Sequence, residues 1–455
     1  MANPPARLAE RLAAFTAALR WQDLPADVRG LAVQAFRDWV ANAAAGTTTP
    51  FGEAVLAVAR AAGGGGRASL IGPLGAADPL TAALVNGGSS HALEFDDSHK
   101  GTFYHPGSPA CAAALAAAQA ASRSGAEMFA GIVAGYEAGI RLAAALGPEH
   151  YRVWHTTGTA GVFAAAAAAA RTLGLSAGQT AAAFGLAGTQ AAGLWEVLPD
   201  APAAKNLHAG KAAQGGLLAA LLAREGVPGP ASILEGSRGV FAAMVPTGAD
   251  AEACVAALGE TWRIREITFK AYPICGHTMT PVEAALHLRP QVGDAAVERI
   301  VVHSNAISLR VVSNPDPHDG YAAKFSMPYC VAAALIHGRV TQAEFAPEAL
   351  CDARIRDLMG RIALVADPEF DRIARTIRPA RMEIHLADGR VLEATSETRR
   401  GDPEQPLSVA EISEKFRALA ALAWGTEKAA RVDAEIDALP GCDSVPAWAE
   451  RVLSV

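Results

Sequence analysis

Cysteine is sparse: there are six in 455 residues, at positions 111, 254, 275, 330, 351 and 442, and no two form a CxxC pair. That scatter offers neither a disulfide framework nor a zinc or iron–sulfur ligand set, and it fits a reducing cytoplasm. Aromatic residues make up only 6%, which argues against a β-sandwich core. Positive charge is not in excess. The formal net charge is −7, with a pI near 6.0, so nothing global attracts nucleic acid or an anionic membrane, and an anionic substrate needs a local basic site. No repeat of 20–50 residues and no low-complexity linker is found. The start, MANPPARLAERLAAF, has charges through its apolar run and no small-residue cleavage site, so it does not read as a secretory leader. The longest charge-free stretch, between Arg171 and Glu196, is long enough to span a bilayer. It is nevertheless rich in Gly, Ser, Thr and Gln, and Ser176-Ala-Gly-Gln179 reads as a capping box, so two buried helices are expected there.

What is abundant is alanine. Hydrophobic residues reach 51% and charged residues 19%, ample for a large core and roughly two to four domains. Leu8, Leu12, Phe15 and Leu19 recur at helical spacing, and Pro25 opens a helix carrying Val28, Leu31, Ala35 and Phe36. Ala-rich helices are expected near 53–62, 79–94, 108–122, 126–146, 158–173, 176–192, 206–224 and 250–258. Near Trp262 the character changes. Strands are expected at 263–270 and 298–303, and Met382–Leu386 with Val391–Thr395 reads as a hairpin with an Asp-Gly turn. Helical stretches at 281–289, 325–337 and 346–360 lie between them. The expected architecture is a large all-helical domain, 1–261 with 397–455, and an inserted smaller α+β domain, 262–396. Ser408-Val-Ala-Glu411 is a capping box for a helix through Leu422 that returns to the helical body.

Chemistry can sit where basic residues precede helices. His105 lies in Tyr104-His-Pro-Gly-Ser-Pro109, with Ser108 as expected N-cap and Pro109 as first-turn residue. His155 precedes Thr156-Thr-Gly-Thr159. Lys205 and His208 flank Asn206 at a helix start, and His277 precedes Thr278-Met-Thr-Pro281, with Thr280 as N-cap. Helix N-termini carry free N–H groups and positive potential, so converging ends with His and Lys would receive a di- or tricarboxylate. The competing reading is that each His caps a helix or fills a gap. The second constellation is His91-Ala-Leu-Glu-Phe-Asp-Asp-Ser-His99. Carboxylates among apolar neighbours acquire raised pKa values suited to acid–base work. Alternatives are a Mg²⁺ or Zn²⁺ site from Asp96, Asp97 and His99 or His105, or a solvated acidic loop. Gly63-Gly-Gly-Gly-Arg reads as a turn, Gly158-Thr-Ala-Gly161 as close helix packing, and Cys275 as a buried inert thiol. In Lys324-Phe-Ser-Met-Pro-Tyr-Cys330, Lys324 or Tyr329 could complete a site.

These segments together resemble the MmgE/PrpD family, which includes 2-methylcitrate dehydratase, cis-aconitate decarboxylase and iminodisuccinate epimerase. The segments carrying the resemblance are HALEFDDSH with HPGSP, GYEAGIRL, HTTGTAGVFAAAAAAARTLGL, KNLHAGKAAQGGLLAALLAREG, YPICGHT, KFSMPYCVAAAL and DPEQPLSVAEISEKF. The resemblance implies a helical domain from both chain ends, an inserted α+β lid, a homodimer, and a metal-free, cofactor-free site in a cleft. Carried over by position, the basic residues are His105, His155, Lys205 and His277, the acidic loop is Glu94 to Ser98, and Lys211 is the second lysine of KNLHAGK. One position departs: the family commonly has Asp-Phe-Asp-Asp-Thr where this chain has Glu94-Phe-Asp-Asp-Ser98, which implies a substrate shaped differently from methylcitrate. The expectation is a cofactor-independent cytoplasmic hydro-lyase on a small polycarboxylic acid. Epimerisation or decarboxylation are alternatives within the family. A non-catalytic organic-anion binder or a metal-dependent helical synthase using Asp96-Asp97 are alternatives outside it. His105 or the Asp96–Asp97 loop is assigned to proton transfer, and Lys205, His155 and His277 to carboxylate binding and charge stabilisation. Glu94, Ser98, His99, His208, Lys211 and Lys324 are expected to contact substrate.

Overall fold

Alanine and glycine put little bulk between helices, so backbones can approach closely. In the computed structural model, which describes residues 7–63, 65–72, 75–198, 201–373 and 377–453, the helix Thr156–Leu173 shows this best. Its run Ala164–Ala170 is entirely buried. The helices Gly107–Ala120, Gly125–His150 and Lys205–Arg224 pack around it. Gly216 is obligatory in that arrangement: a Cβ there would lie 2.5 Å from the Val162 carbonyl oxygen of the neighbouring helix. Of the N-terminal segment MANPPARLAERLAAF, residues 1–6 lie outside the described residues, as does Gly64 of the glycine run.

The chain divides into two compact units, 1–92 with 96–267 and 408–455, and 93–95 with 268–407. Expected borders at 262 and 396 therefore move to 267/268 and 407/408, and Leu93–Phe95 belongs with the second unit. The shift at 262 has a cause in the first unit. Arg141, buried beside Glu137, donates to the carbonyls of Ala256 and Thr261, while Glu137 accepts from the Ile264 N–H at 3.1 Å. The segment expected as the helix 250–258 is reduced to the single turn Ala251–Cys254, and the strand expected at 263–270 is a 3₁₀ turn, Arg263–Glu266, with two extended residues.

In the first unit, Ser176 caps Ala177–Gly188 with Gln179 as its reciprocal partner, and Gly174 ends the preceding helix in the left-handed region, so the charge-free stretch is two helices. One helix among the described residues, Gly125–His150, is long and apolar enough to cross a membrane, and 94% of its apolar window is buried inside the protein. The C-terminal helix Val409–Ile436 starts at the Ser408/Glu411 box and packs on Ala26–Gly46. Buried pairs pin it: Lys415 Nζ to Asp38 at 2.6 Å and Arg37 to Asp433 at 2.9 Å.

The second unit is α+β. Its four-stranded sheet runs Ile362–Ala366, Val297–Ser304, Ala380–Leu386, Val391–Ser396, with the first pair parallel and the others antiparallel. Ala380, Met382, Ile384 and Leu386 are buried on one face, the period-2 signature of a half-covered sheet, and Met279–Val292 covers it.

Candidate active site

The first unit brings four helix ends together around Asp96. Pro79–His91 ends on His91; Gly107–Ala120 begins just after His105; His155 is the N-cap of Thr156–Leu173; Lys205 is the first residue of Lys205–Arg224. Gly210 permits one of these approaches, since a Cβ there would meet the Leu84 carbonyl oxygen at 2.5 Å. Two expected caps are corrected. Pro106, not Ser108, is the N-cap of Gly107–Ala120, and the Ser108 hydroxyl donates instead to Asp96 Oδ2 at 3.1 Å.

One oxygen organises the cluster. Asp96 Oδ2 lies 2.7 Å from His91 Nδ1, 3.2 Å from His105 Nδ1 and within reach of Ser108. Burial opposes ionisation of Asp96, but the facing imidazoles prevail and hold its carboxyl well below the usual range. Burial drives His91 the other way, towards the neutral ring, reinforced by the Lys205 charge and opposed by Asp96. Because Nδ1 of His105 faces two acceptors, Asp96 and the Asp97 carbonyl at 2.9 Å, Nδ1 carries a proton. His105 is also the open member: 14% of its side chain is exposed, against 0% for His91 and 2% for Asp96. A carboxylate behind a partly exposed imidazole is the arrangement of an acid–base pair.

His155 stacks on His91 with ring centroids 5.6 Å apart, and its Nδ1 lies 3.1 Å from Nδ1 of His208. Lys205 is buried at 2% exposure. Behind the cluster, Asp97 accepts from Tyr136 Oη at 2.6 Å and from the Gly107 N–H at 3.0 Å. Complete burial pushes the Asp97 carboxyl up to about 7 against those hydrogen bonds, so it titrates near neutrality. Tyr136 and His91 join the cluster without having been among the expected site residues; His91 opens the acidic motif, and its i to i+5 relation to Asp96 was the available signal.

Other expected contacts go elsewhere. Both ring nitrogens of His99 are engaged, by Thr102 and by Glu266 at 2.9 Å each. The Ser98 hydroxyl is buried without a hydrogen-bond partner. Lys211 is exposed and bonds Gln214 at 2.7 Å. Its ammonium serves the outer surface of its helix.

The second unit holds its own buried charged centre. Glu94 sits at φ 56°, in the left-handed region, and accepts from Tyr321 Oη at 3.1 Å while Lys270 Nζ lies 3.4 Å from its carboxylate and 2.9 Å from its carbonyl. Lys324 donates to the Leu93 carbonyl at 2.7 Å and to Gln342 at 3.0 Å. Burial, then Lys270, brings the Lys324 ammonium down to about 7. Lys270 and Tyr321 carried no motif signal. In the same unit, His277 Nδ1 pairs with Ser308 Oγ at 2.9 Å. Its helix is capped at Thr278, not Thr280, whose hydroxyl donates to the Arg378 carbonyl at 2.8 Å.

The groups able to hold a metal among the described residues are His91, Asp96 and His105, with ligand atoms within 4.8 Å of one another. The atoms there that face Asp96 are hydrogen-bond donors converging on a single oxygen.

Comparison with known proteins extends over most of the chain. Residues 10–253 match the model of the MmgE/PrpD N-terminal domain and residues 272–439 that of the MmgE/PrpD C-terminal domain. The chain is 29% identical over 457 residues to the cis-aconitate decarboxylase-like protein oryM of Aspergillus oryzae, covering 95% of this chain and 94% of that protein. It is 27% identical over 428 residues to a cis-aconitate decarboxylase of Aspergillus terreus, covering 88% of this chain and 87% of that one. With 2-methylcitrate dehydratase of Cupriavidus necator it shares 32% identity over 145 residues, 29% of this chain and 30% of that protein.

Proposed function

This chain belongs to the MmgE/PrpD family, and from that premise we propose that it is a metal-independent lyase acting on a small di- or tricarboxylic acid next to a carboxylate. The observation that carries the reading is the His105–Asp96 pair: Nδ1 held by Asp96 and the Asp97 carbonyl, with His105 the partly exposed member of an otherwise buried cluster. The first reading is decarboxylation, favoured by relatives named for that reaction that align along nearly the whole chain. Loss of CO₂ leaves an electron pair on carbon beside a remaining carboxylate. The Lys205 charge stabilises it, and His105, once it has taken a proton from solvent on Nε2 with Asp96 compensating the imidazolium, donates that proton to carbon and is left neutral. The second reading, dehydration, is favoured by the shorter dehydratase match; there neutral Nε2 removes the proton next to the carboxylate.

The test is a panel of cis-aconitate, citrate, 2-methylcitrate and iminodisuccinate in D₂O, followed by NMR and CO₂ release. CO₂ release with one deuteron incorporated at carbon in the product is the expected result. Water loss without CO₂ selects the second reading. No turnover and no exchange with any acid overturns both and leaves an organic-anion binder.

A further inference from the structure

His155 and His208 meet nitrogen to nitrogen, and that contact has a strict requirement. A neutral imidazole has one N–H and one lone pair, so two Nδ1 atoms 3.1 Å apart share one proton: one ring donates and the other accepts. His155 is 1% exposed and stacks on His91, which bonds Asp96. His208 faces the other way. It lines a surface pocket of about 610 Å³ with Trp154, Leu194, Leu207 and Lys211. Leu194 and Leu207 are 48% and 46% exposed, so the pocket rim reaches solvent. The buried cluster and this pocket are thus separated by one pair of imidazoles.

We propose that His208 is a positioning and relay residue, which exchanges protons between the buried cluster and the solvent-facing pocket through His155 and does not itself touch the substrate. The step balances. A proton arriving at Nε2 of His155 makes both its nitrogens N–H; the Nδ1 proton passes to Nδ1 of His208; His208 releases its Nε2 proton to water in the pocket. Both rings end neutral with tautomers exchanged, and the reverse sequence carries a proton inward. Burial, with the neighbouring histidines, keeps His155 well below its ordinary value, and burial with Lys205 brings His208 to about 4, so both rings rest neutral. A decarboxylase consumes one proton per turnover at carbon, which gives an inward route a purpose. In that respect the relay rests on the function proposed above.

The test uses three variants and a spectroscopic readout. His208→Ala opens the imidazole's place onto the pocket. It should lower kcat by ~100-fold with KM changed less than about twofold, and added imidazole should restore ~10-fold or more. His208→Asn keeps a hydrogen-bonding group near Nδ1 but cannot relay, so it should stay slow and gain nothing from imidazole. His208→Phe, which fills the space, should be slow and not rescued. Near-normal turnover in the Asn variant would overturn the relay, as would failure of imidazole to rescue the Ala variant. Should no acid be turned over, the function reading fails separately, and ¹⁵N-histidine NMR still decides the contact. The His155 ring-nitrogen shifts must move in His208→Ala; unmoved shifts overturn the shared proton.

Discussion

In the first unit a carboxylate, Asp96, is ringed by two imidazoles and a hydroxyl; in the second a carboxylate, Glu94, is held by an ammonium and a phenol. Both are buried to 1% exposure. Burial penalises charge of either sign, so it acts in opposite directions on the groups beside them. In the first unit it lifts the Asp97 acid to about 7, and in the second it lowers the Lys324 base to about 7. Opposite materials thus give each unit a group that changes charge near neutral pH. The difference lies in what is left open. The imidazole centre leaves the His105 ring partly exposed, whereas Lys324 spends its protons on Leu93 and Gln342.

If the imidazole centre is where protons move, Asp96→Asn should be the most damaging change. Asn keeps one oxygen for three donors but removes the charge that stabilises an imidazolium on His105. A loss of ~1,000-fold in kcat/KM is expected, in the range of general acid–base contributions. Steady-state kinetics on the first acid found active checks it; a loss under tenfold would move the chemistry out of this centre.

Lys205 ranks next. Because its side chain is 2% exposed, Lys205→Ala would leave a cavity, and Lys205→Met, which keeps the stem, is the cleaner variant. Turnover should fall ~100-fold as one charge-stabilising donor is lost, with little change in Tm. Lys205→Arg should recover little, since a planar guanidinium does not replace a compact ammonium in a filled site. Normal kinetics in the Met variant would reduce Lys205 to a packing residue.

The two centres also differ in how far the sequence announced them. Asp96 and His105 stand nine positions apart in one continuous motif, and His155 and Lys205 stand at helix starts, so periodicity and capping chemistry located them. The caps themselves slipped because hydroxyls had better offers: Ser108 bonds Asp96 and Thr280 bonds the Arg378 carbonyl. The second centre is assembled across long sequence separations, and an ammonium that reaches a backbone carbonyl 176 positions away leaves no local pattern. The strand Ile362–Ala366 was missed for a similar reason. It lies at a sheet edge with little of its surface buried, so period-2 alternation is weak. The helix expected at 346–360 breaks into Pro347–Leu350 and Ala353–Met359, with Asp352 capping the second piece.

The opposite shifts predict opposite pH slopes. Asp97 and Glu137 both have folded pKa values raised to about 7, chiefly by burial. Stability from these groups is complete below their unfolded values and is lost as pH rises through about 7. For Asp97, roughly three pH units correspond to ~4 kcal/mol. Lys324 is depressed from 10.5 to about 7, so its contribution is complete above 10.5 and is lost as pH falls towards 7. Hydrogen exchange, read separately over each unit, should show the first loosening between about pH 4 and 7 and the second tightening between about 7 and 10. Asp97→Asn, which imitates the protonated acid, should reduce the first trend to the part that Glu137 supplies, without touching the second. Lys324→Met should do the converse. Parallel slopes in both units would mean that burial does not govern these groups.

Chelation should have the smallest effect of all. His91, Asp96 and His105 are close enough together to suggest a metal, yet their geometry is that of donors around an acceptor. His91 Nδ1, His105 Nδ1 and the Ser108 hydroxyl all converge on Asp96 Oδ2, at 2.7, 3.2 and 3.1 Å. A cation at that oxygen would have to displace protons that already satisfy it, and both imidazoles would have to turn a lone pair inward where they now present N–H. The net gain for a divalent ion is correspondingly small, because ligand atoms must be deprotonated to bind. Exhaustive dialysis against EDTA should leave kcat/KM within about twofold, and added Zn²⁺ or Mn²⁺ should not raise it. One tightly held metal per chain, with activity lost on removal and restored on its return, would make Asp96 a ligand and not the support of His105, and would reverse the reading of the first centre while leaving the lysine centre as it is.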